Sequence, residues 1–121
     1  LLKAVSQTEV ETIILSFGIN SRGQKTRATT VRQLQGAVRA AKNRFPGATV
    51  LVPVINFTMS LPQREKLNLH ILNSYIAKNC NYISHLPSRE FGTEPDRIHW
   101  THQTAARMLD HWLSQVNWRS P

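Results

Sequence analysis

The chain has 121 residues, which is enough for one domain with a substantial core and too short for two. Hydrophobic residues make up 40% of the sequence and charged residues 18%, a composition that is typical of globular proteins and excludes an intrinsically disordered chain. The basic residues outnumber the acidic ones by 15 to 7, and the net charge of +8 favours polyanionic partners such as RNA, DNA or an anionic membrane surface.

The single cysteine, Cys80, excludes a disulfide within the chain and favours a reducing environment, so a cytoplasmic or other intracellular location is expected. No apolar run approaches the ~18 residues that a membrane-spanning helix needs, and no signal peptide is recognisable. Residues 1–8 look like the end of a helix that began earlier, so we expect the sequence to be a fragment of a larger domain.

A first strand is predicted at residues 11–17, where apolar and β-branched residues follow one another without alternation. Such a strand is typically covered on both faces, as in a parallel sheet. The polar loop at residues 18–23 follows its carboxyl end, which is where open α/β sheets bind ligands.

Residues 28–45 are predicted to form a helix that Pro46 and Gly47 end. Its buried stripe has helical spacing and comprises Val31, Leu34, Val38, Ala41 and Phe45. Seven of the basic residues fall between positions 22 and 44, where there is no acidic residue. Five of them are candidates for contacts to RNA or DNA phosphates: Arg22, Lys25, Arg32, Arg39 and Lys42. The alternative is that this block is only a solvated helix face.

The remaining elements are a strand at 48–57 that Pro53 disturbs, a helix at 63–79, a short strand at 82–86 and a final helix at 102–116. The helix at 63–79 should turn one side to the core, with Leu67, Ile71 and Tyr75 along it and Leu72 and Ile76 widening it. The apolar face of the last helix comprises Ala105, Met108, Leu109, Trp112 and Val116. This alternation predicts a parallel sheet with helices on both faces.

Three strands are few for such a sheet, and the first strand has the apolar character of a central one. We therefore expect a further strand beside it, contributed by an upstream segment or by another chain, because an open apolar edge promotes association.

The loop at residues 94–101 carries the clearest chemical signal. Pro95 fixes the backbone ahead of Asp96, and Thr101 is placed to cap the last helix. A carboxylate three residues before His99 can accept the Nδ1 proton and stabilise the imidazolium that forms when Nε2 takes a proton, which is the base half of a nucleophilic hydrolase. Alternatively, Asp96 is a turn residue and His99 and Trp100 only pack beneath the helix.

A metal site is a weaker interpretation of the same histidines. His99 and His102, with Asp96 or His85, lack the compact set of at least three ligands that zinc sites use, so no metal or cofactor is predicted. Cys80 is interpreted as a packed thiol at a helix end rather than a nucleophile.

Two stretches together, Gly18-Ile19-Asn20 and Asp96-Arg97-Ile98-His99, resemble the third and fifth sequence blocks of the SGNH (GDSL-like) hydrolases. Around Phe17 and Trp100 the amino-acid sequence is most similar to the esterase domains of LINE-type retrotransposons. The resemblance implies a three-layer α/β/α sandwich with a flavodoxin-like parallel sheet, and hydrolysis of an ester or related acylated substrate. It also implies that Asn20 donates to the oxyanion, His99 is the general base and Asp96 orients it.

The resemblance covers only the later half of that family. The Gly-Asp-Ser block with the nucleophile has no counterpart here, and Ser21 stands where the family has an aspartate. Residues 1–121 are therefore expected to be the C-terminal part of one domain whose nucleophilic serine lies upstream. The competing hypothesis is a non-catalytic basic module that binds RNA or DNA.

Two further groups have open interpretations. Phe57, Met59 and Leu61 line an acyl pocket or simply pack against the next helix. Trp100 and Trp112 are interpreted as core anchors rather than platforms for nucleic-acid bases.

Overall fold

The computed structural model describes residues 10–17, 19, 22 and 27–116. Within them the chain alternates between strands and helices, with one 3₁₀ turn before the last helix. The elements are β1 (Thr12–Ile14), α1 (Arg27–Arg44), β2 (Thr49–Pro53), α2 (Gln63–Asn79), β3 (Asn81–Ile83), a 3₁₀ turn (Ser88–Glu90) and α3 (His102–Gln115). None of the helices in these residues is both long and apolar enough to cross a membrane.

The three strands form a parallel sheet in the order β1-β2-β3, which confirms the prediction of an α/β protein with a parallel sheet. Ile13 pairs with Val50 across the first ladder, and Val52 pairs with Tyr82 across the second. The first and second predicted strands are thus neighbours in the sheet. A strand on the far side of β1 stays a prediction, because the expected partner lies outside this sequence.

The outer strands β1 and β3 are shorter than predicted. The Leu15 N–H still donates to the Leu51 carbonyl at 2.8 Å, but the pairing of β1 ends there. Beyond β3, the Leu86 N–H donates to the side chain of Asn56 at 3.0 Å instead of continuing the ladder.

The core lies between the sheet and the pair α1 and α2. On β2, Val50, Val52 and Pro53 are buried, whereas Leu51 is half-buried and Thr49 is exposed. Leu34 of α1 and Phe45, the residue directly after this helix, are fully buried, and Ala41 of α1 is almost so. These three residues belong to the predicted stripe, whereas Val31 and Val38 are only half-buried.

The prediction of which side of α2 faces the core was partly wrong. Leu67 is 54% exposed, and the buried residues of this helix are Leu69, Leu72, Asn73 and Ile76. The helix carries apolar side chains on more than one side, so periodicity alone did not choose between them. Asn73 faces inward because it hydrogen-bonds the backbone beyond β2.

The last helix buries only part of its predicted apolar face. Met108 is 3% exposed and Trp112 is half-buried. By contrast Leu109 is exposed, as is Ala105. The side of α3 that packs against the domain is therefore centred on Met108 and Trp112.

Candidate functional site

The segment before α3 folds back on itself as a narrow hairpin-like loop. Thr93 and Trp100 form an isolated antiparallel bridge, and the Glu94 N–H donates to the His99 carbonyl at 2.8 Å. Inside the bridge a turn is closed by the Arg97 N–H, which donates to the Glu94 carbonyl at 2.9 Å. Arg97 has a φ of 66°, a left-handed conformation that is uncommon for a residue with a side chain. The chain therefore makes a tight reversal that brings its two ends together.

Threonine hydroxyls fix this loop to the first turn of α3. Thr101 is the N-cap, as predicted, and its Oγ1 accepts from the Thr104 N–H at 3.1 Å. Thr104 is buried, and its own Oγ1 accepts from the Gly92 N–H at 2.8 Å. The Thr101 N–H donates to the Gly92 carbonyl at 3.2 Å, so both ends of the loop are attached to the helix.

The Asp96 carboxylate is shared between the backbone of the loop and the His99 ring. Its Oδ1 accepts from the N–H groups of Ile98, at 2.8 Å, and His99, at 3.0 Å. Its Oδ2 contacts His99 Nδ1. The hydrogen bond with the His99 side chain, followed by the two backbone N–H groups, lowers the pKa of Asp96 to about 2. Asp96 is therefore both the turn residue of the plain interpretation and the partner of the histidine.

His99 presents its other ring nitrogen to solvent. Its side chain is 80% exposed, and Nε2 has no hydrogen-bond partner in the part of the chain that the structure describes. With the Nδ1 proton directed at an ionised carboxylate, the tautomer that leaves the Nε2 lone pair free is favoured. This arrangement can accept a proton at Nε2 from a group that approaches from outside.

A cavity of about 240 Å³ lies at the carboxyl ends of β1 and β2, next to this loop. Its walls come from the residues after these strands and from α3: Ser16, Phe17, Ile19, Pro53, Val54, Ile55, Asn56, Trp100, Met108 and Trp112. The rings of Trp100 and Trp112 meet edge to face, with centroids 5.9 Å apart. The two tryptophans thus line a cavity as well as anchoring α3, while His99 and Asp96 lie outside its lining.

Two asparagines support the backbone around the cavity, and sequence reasoning missed both roles. Asn73 of α2 accepts from the Ile55 N–H at 2.7 Å and donates to the Ile55 carbonyl at 3.0 Å. Asn56 does the same for Leu86, with distances of 3.0 Å and 2.9 Å.

The three candidate acyl-pocket residues do not line the cavity. Asn20 lies outside the described residues, so its proposed donor role stays a prediction. The expected acyl-pocket residues are dispersed, since Leu61 is buried in the core and Met59 is 71% exposed. Phe57 packs edge to face on His70, with centroids 5.1 Å apart. Among the described residues no three histidine, cysteine or acidic side chains are grouped as metal ligands would be.

The five basic candidates differ in their surroundings. Arg22 forms an ion pair with Glu65 at 2.8 Å and also donates to the Ile19 carbonyl at 3.0 Å, so its charge is already neutralised. Lys25 is not among the residues that the structure describes. Arg32 donates to the carbonyl of Ala28 in its own helix at 3.3 Å.

The other two candidates, Arg39 and Lys42, are exposed and line a groove between α1 and α2. Among the candidates that the structure describes, Arg39 and Lys42 have neither an ion pair nor a hydrogen bond and are available for a phosphate.

No protein-family model, curated protein or solved structure matches this chain.

Proposed function

We propose that this chain carries the base half of an ester hydrolase of the SGNH type. The observation that carries the proposal is the Asp96–His99 pair, in which the carboxylate contacts Nδ1 while Nε2 faces solvent. A histidine that only packed beneath a helix would be covered, whereas this ring is exposed and held by its carboxylate. Orientation of a histidine by a carboxylate is the arrangement that nucleophilic hydrolases use.

The proposed reaction needs a nucleophile that we expect upstream of this sequence. As the hydroxyl oxygen of that serine attacks the ester carbonyl, His99 Nε2 takes its proton, and the imidazolium then gives the proton to the leaving alkoxide. Water deacylates the serine by the same proton route. With its pKa held near 2, Asp96 is ionised at neutral pH and stabilises the imidazolium. The amide of Asn20 is the proposed oxyanion donor.

The finer architecture belongs to the same proposal. Right-handed crossovers place α1 and α2 on one face of the sheet. Pro53 points to the face opposite Val52, and it shares the cavity with Met108 of α3. We therefore infer a three-layer α/β/α sandwich of the flavodoxin-like kind, with the loop of Asp96 and His99 at the carboxyl ends of the strands, where ligands bind in such sheets.

The neighbouring cavity suggests the kind of substrate. It is small, with a volume of about 240 Å³, and aromatic and aliphatic side chains form much of its wall. Such a pocket suits a short apolar acyl group, whose burial between Trp100 and Met108 would leave the ester carbonyl near the loop.

The test is ester turnover by the full-length protein that carries this sequence, with p-nitrophenyl acetate as substrate. His99→Ala should reduce kcat by several orders of magnitude and leave a residual rate only ~10³ to 10⁴ times that of the reaction in water. Asp96→Asn should be similarly damaging because it favours the wrong tautomer. His102→Ala is the matched control, since this exposed histidine lies three residues further along and should be silent.

Turnover that survives in a well-folded His99→Ala protein would refute the assignment and leave a non-catalytic module as the better interpretation. A second comparison locates the nucleophile. Ser16 is the serine that lines the cavity, and Ser16→Ala should retain turnover if the nucleophile is the expected upstream serine.

A further inference from the structure

A groove runs between α1 and α2, away from the loop of Asp96 and His99. It consists of two adjoining depressions of about 400 and 320 Å³. The residues that line both are Val38, Lys42, Asn79 and Cys80, so the depressions form one elongated surface. We call this surface the α1–α2 groove.

The rim of the α1–α2 groove is positively charged. Arg39 and Lys42 project from α1, and Lys78 projects from the last turn of α2. All three are exposed, and within the described part of the chain no hydrogen bond or ion pair holds them. This contrasts with Arg22, whose charge is neutralised by Glu65.

No described acidic residue lines the groove to offset these charges. Helix α1 contains no acidic residue. The one carboxylate of α2, Glu65, is in the first turn, at the opposite end from Lys78. Glu11 lies near the start of β2, through its backbone contact to Thr49, but does not line the groove. The local charge is therefore cationic, which favours a ligand with anionic groups.

The floor of the groove is apolar, with hydrogen-bonding groups along it. Leu34, Val38 and Val52 supply the apolar part. Beside them Gln35 Nε2 donates to the Tyr75 hydroxyl at 2.8 Å. A flat apolar group with polar edges, such as a nucleic-acid base, fits a floor of this kind, while phosphates fit the cationic rim.

We propose that the α1–α2 groove binds a single-stranded nucleic acid. Arg39, Lys42 and Lys78 contact consecutive backbone phosphates, and bases lie against the apolar floor near Tyr75. The site does not depend on the Asp96–His99 pair, and it uses Lys78 in place of Arg22. Because phosphate contacts position a strand without reading it, the binding has little sequence preference.

Two features favour this occupant over other polyanions. The groove is a concave channel between two helices, and a single strand can lay its backbone and bases into it, whereas a duplex keeps its bases stacked inside. A bilayer would need exposed apolar side chains to insert, but among the residues that the structure describes the large exposed hydrophobic ones lie elsewhere. They are Met59, Leu67, Tyr82, Leu109 and Leu113, and none of them lines the groove.

The decisive experiment measures the salt dependence of binding to a fluorescent oligouridylate of about 12 nucleotides. Each lost phosphate contact should reduce the slope of log affinity against log salt by ~0.7. In Arg39→Gln/Lys78→Gln the slope should therefore be shallower by ~1.4. When the salt concentration rises from 50 to 200 mM, the factor by which the affinity of this double variant falls should be about sevenfold smaller than for the wild type.

The matched control removes the same two kinds of charge outside the groove. Arg32→Gln/Lys66→Gln lowers the net charge equally, so any general electrostatic effect is the same. The slope of this control should equal that of the wild type. Equal changes in both double variants would overturn the proposal, as would tighter binding of a duplex or of anionic phosphatidylserine vesicles than of the single strand.

Cys80 supplies a second, independent readout because it is the single cysteine of the chain and lies in both depressions. Burial raises the pKa of its thiol, with Lys42 acting in the opposite direction, so modification by N-ethylmaleimide is slow enough to follow. Saturating oligouridylate should slow this modification at least severalfold in the wild type and the control. Unchanged modification at saturation would place the strand elsewhere and refute the site.

Discussion

Asn73 offers the sharpest test of how α2 supports the cavity. Replacing it with alanine removes both the acceptor of the Ile55 N–H and the donor to the Ile55 carbonyl. Asn73 and Ile55 are both buried, at 8% exposure each, so water does not readily replace these partners. Each buried polar group left unsatisfied costs about 1–3 kcal/mol, and Asn73→Ala leaves two of them, so it should lower the free energy of unfolding by about 2–6 kcal/mol.

The measurement is urea denaturation followed by far-UV circular dichroism. Ser74→Ala is the matched control, because Ser74 is the next residue of α2, is exposed and bonds only the His70 carbonyl in its own helix. Its effect should stay within about 0.5 kcal/mol. If Asn73→Ala were as mild as this control, the two hydrogen bonds to Ile55 would not stabilise the fold, and the reasoning about the cavity wall would fail.

Three other predictions follow from the loop and the core. The pKa of Asp96 is about 2, below its ordinary value of 3.8, so its contribution to stability is present above pH 4 and is lost as the pH falls from about 4 to about 2. Carbon-13 NMR of the carboxyl group should give that midpoint, and His99→Ala should raise it; an unchanged midpoint would contradict the pairing. Thr101→Ala removes the N-cap of α3 and should cost about 1 kcal/mol of stability, whereas Thr101→Ser should cost less. Phe45→Ala empties a fully buried position and should cost about 3–5 kcal/mol in the same denaturation assay, and a smaller loss would mean that the site collapses around the missing ring.

The features that could be predicted from the sequence are those that neighbouring residues determine. Asp96 and His99 are three residues apart, and Pro95 and Thr101 define the loop around them, so their contact required no knowledge of the rest of the chain. The order of strands and helices was equally accessible, because hydrophobic periodicity and breakers such as Pro46 act over short distances.

Features that join distant segments could not be predicted in this way. The ion pair between Arg22 and Glu65 spans 43 positions. It neutralises Arg22, which the count of basic residues had made a candidate for phosphate contacts. Lys78 lines the groove from a different helix, so its place beside Arg39 and Lys42 could not be predicted either. The core side of α2 was also misjudged, because a buried asparagine that bonds a loop has no signature in an apolar pattern.

The side chains of Trp100 and His99 point in opposite directions, and this constrains where a nucleophile can act. Trp100 is bridged to Thr93 and lines the cavity, while the residue before it, His99, faces solvent. Successive side chains of an extended segment point to opposite sides. The bridge between Thr93 and Trp100 therefore fixes the orientations of both the His99 and the Trp100 side chains. A hydroxyl deep in the cavity would meet Trp100 rather than Nε2 of His99. Under the proposed hydrolase function, the attacking serine would therefore lie at the rim, on the solvent side of the loop, and the acyl group would be directed inward past Trp100.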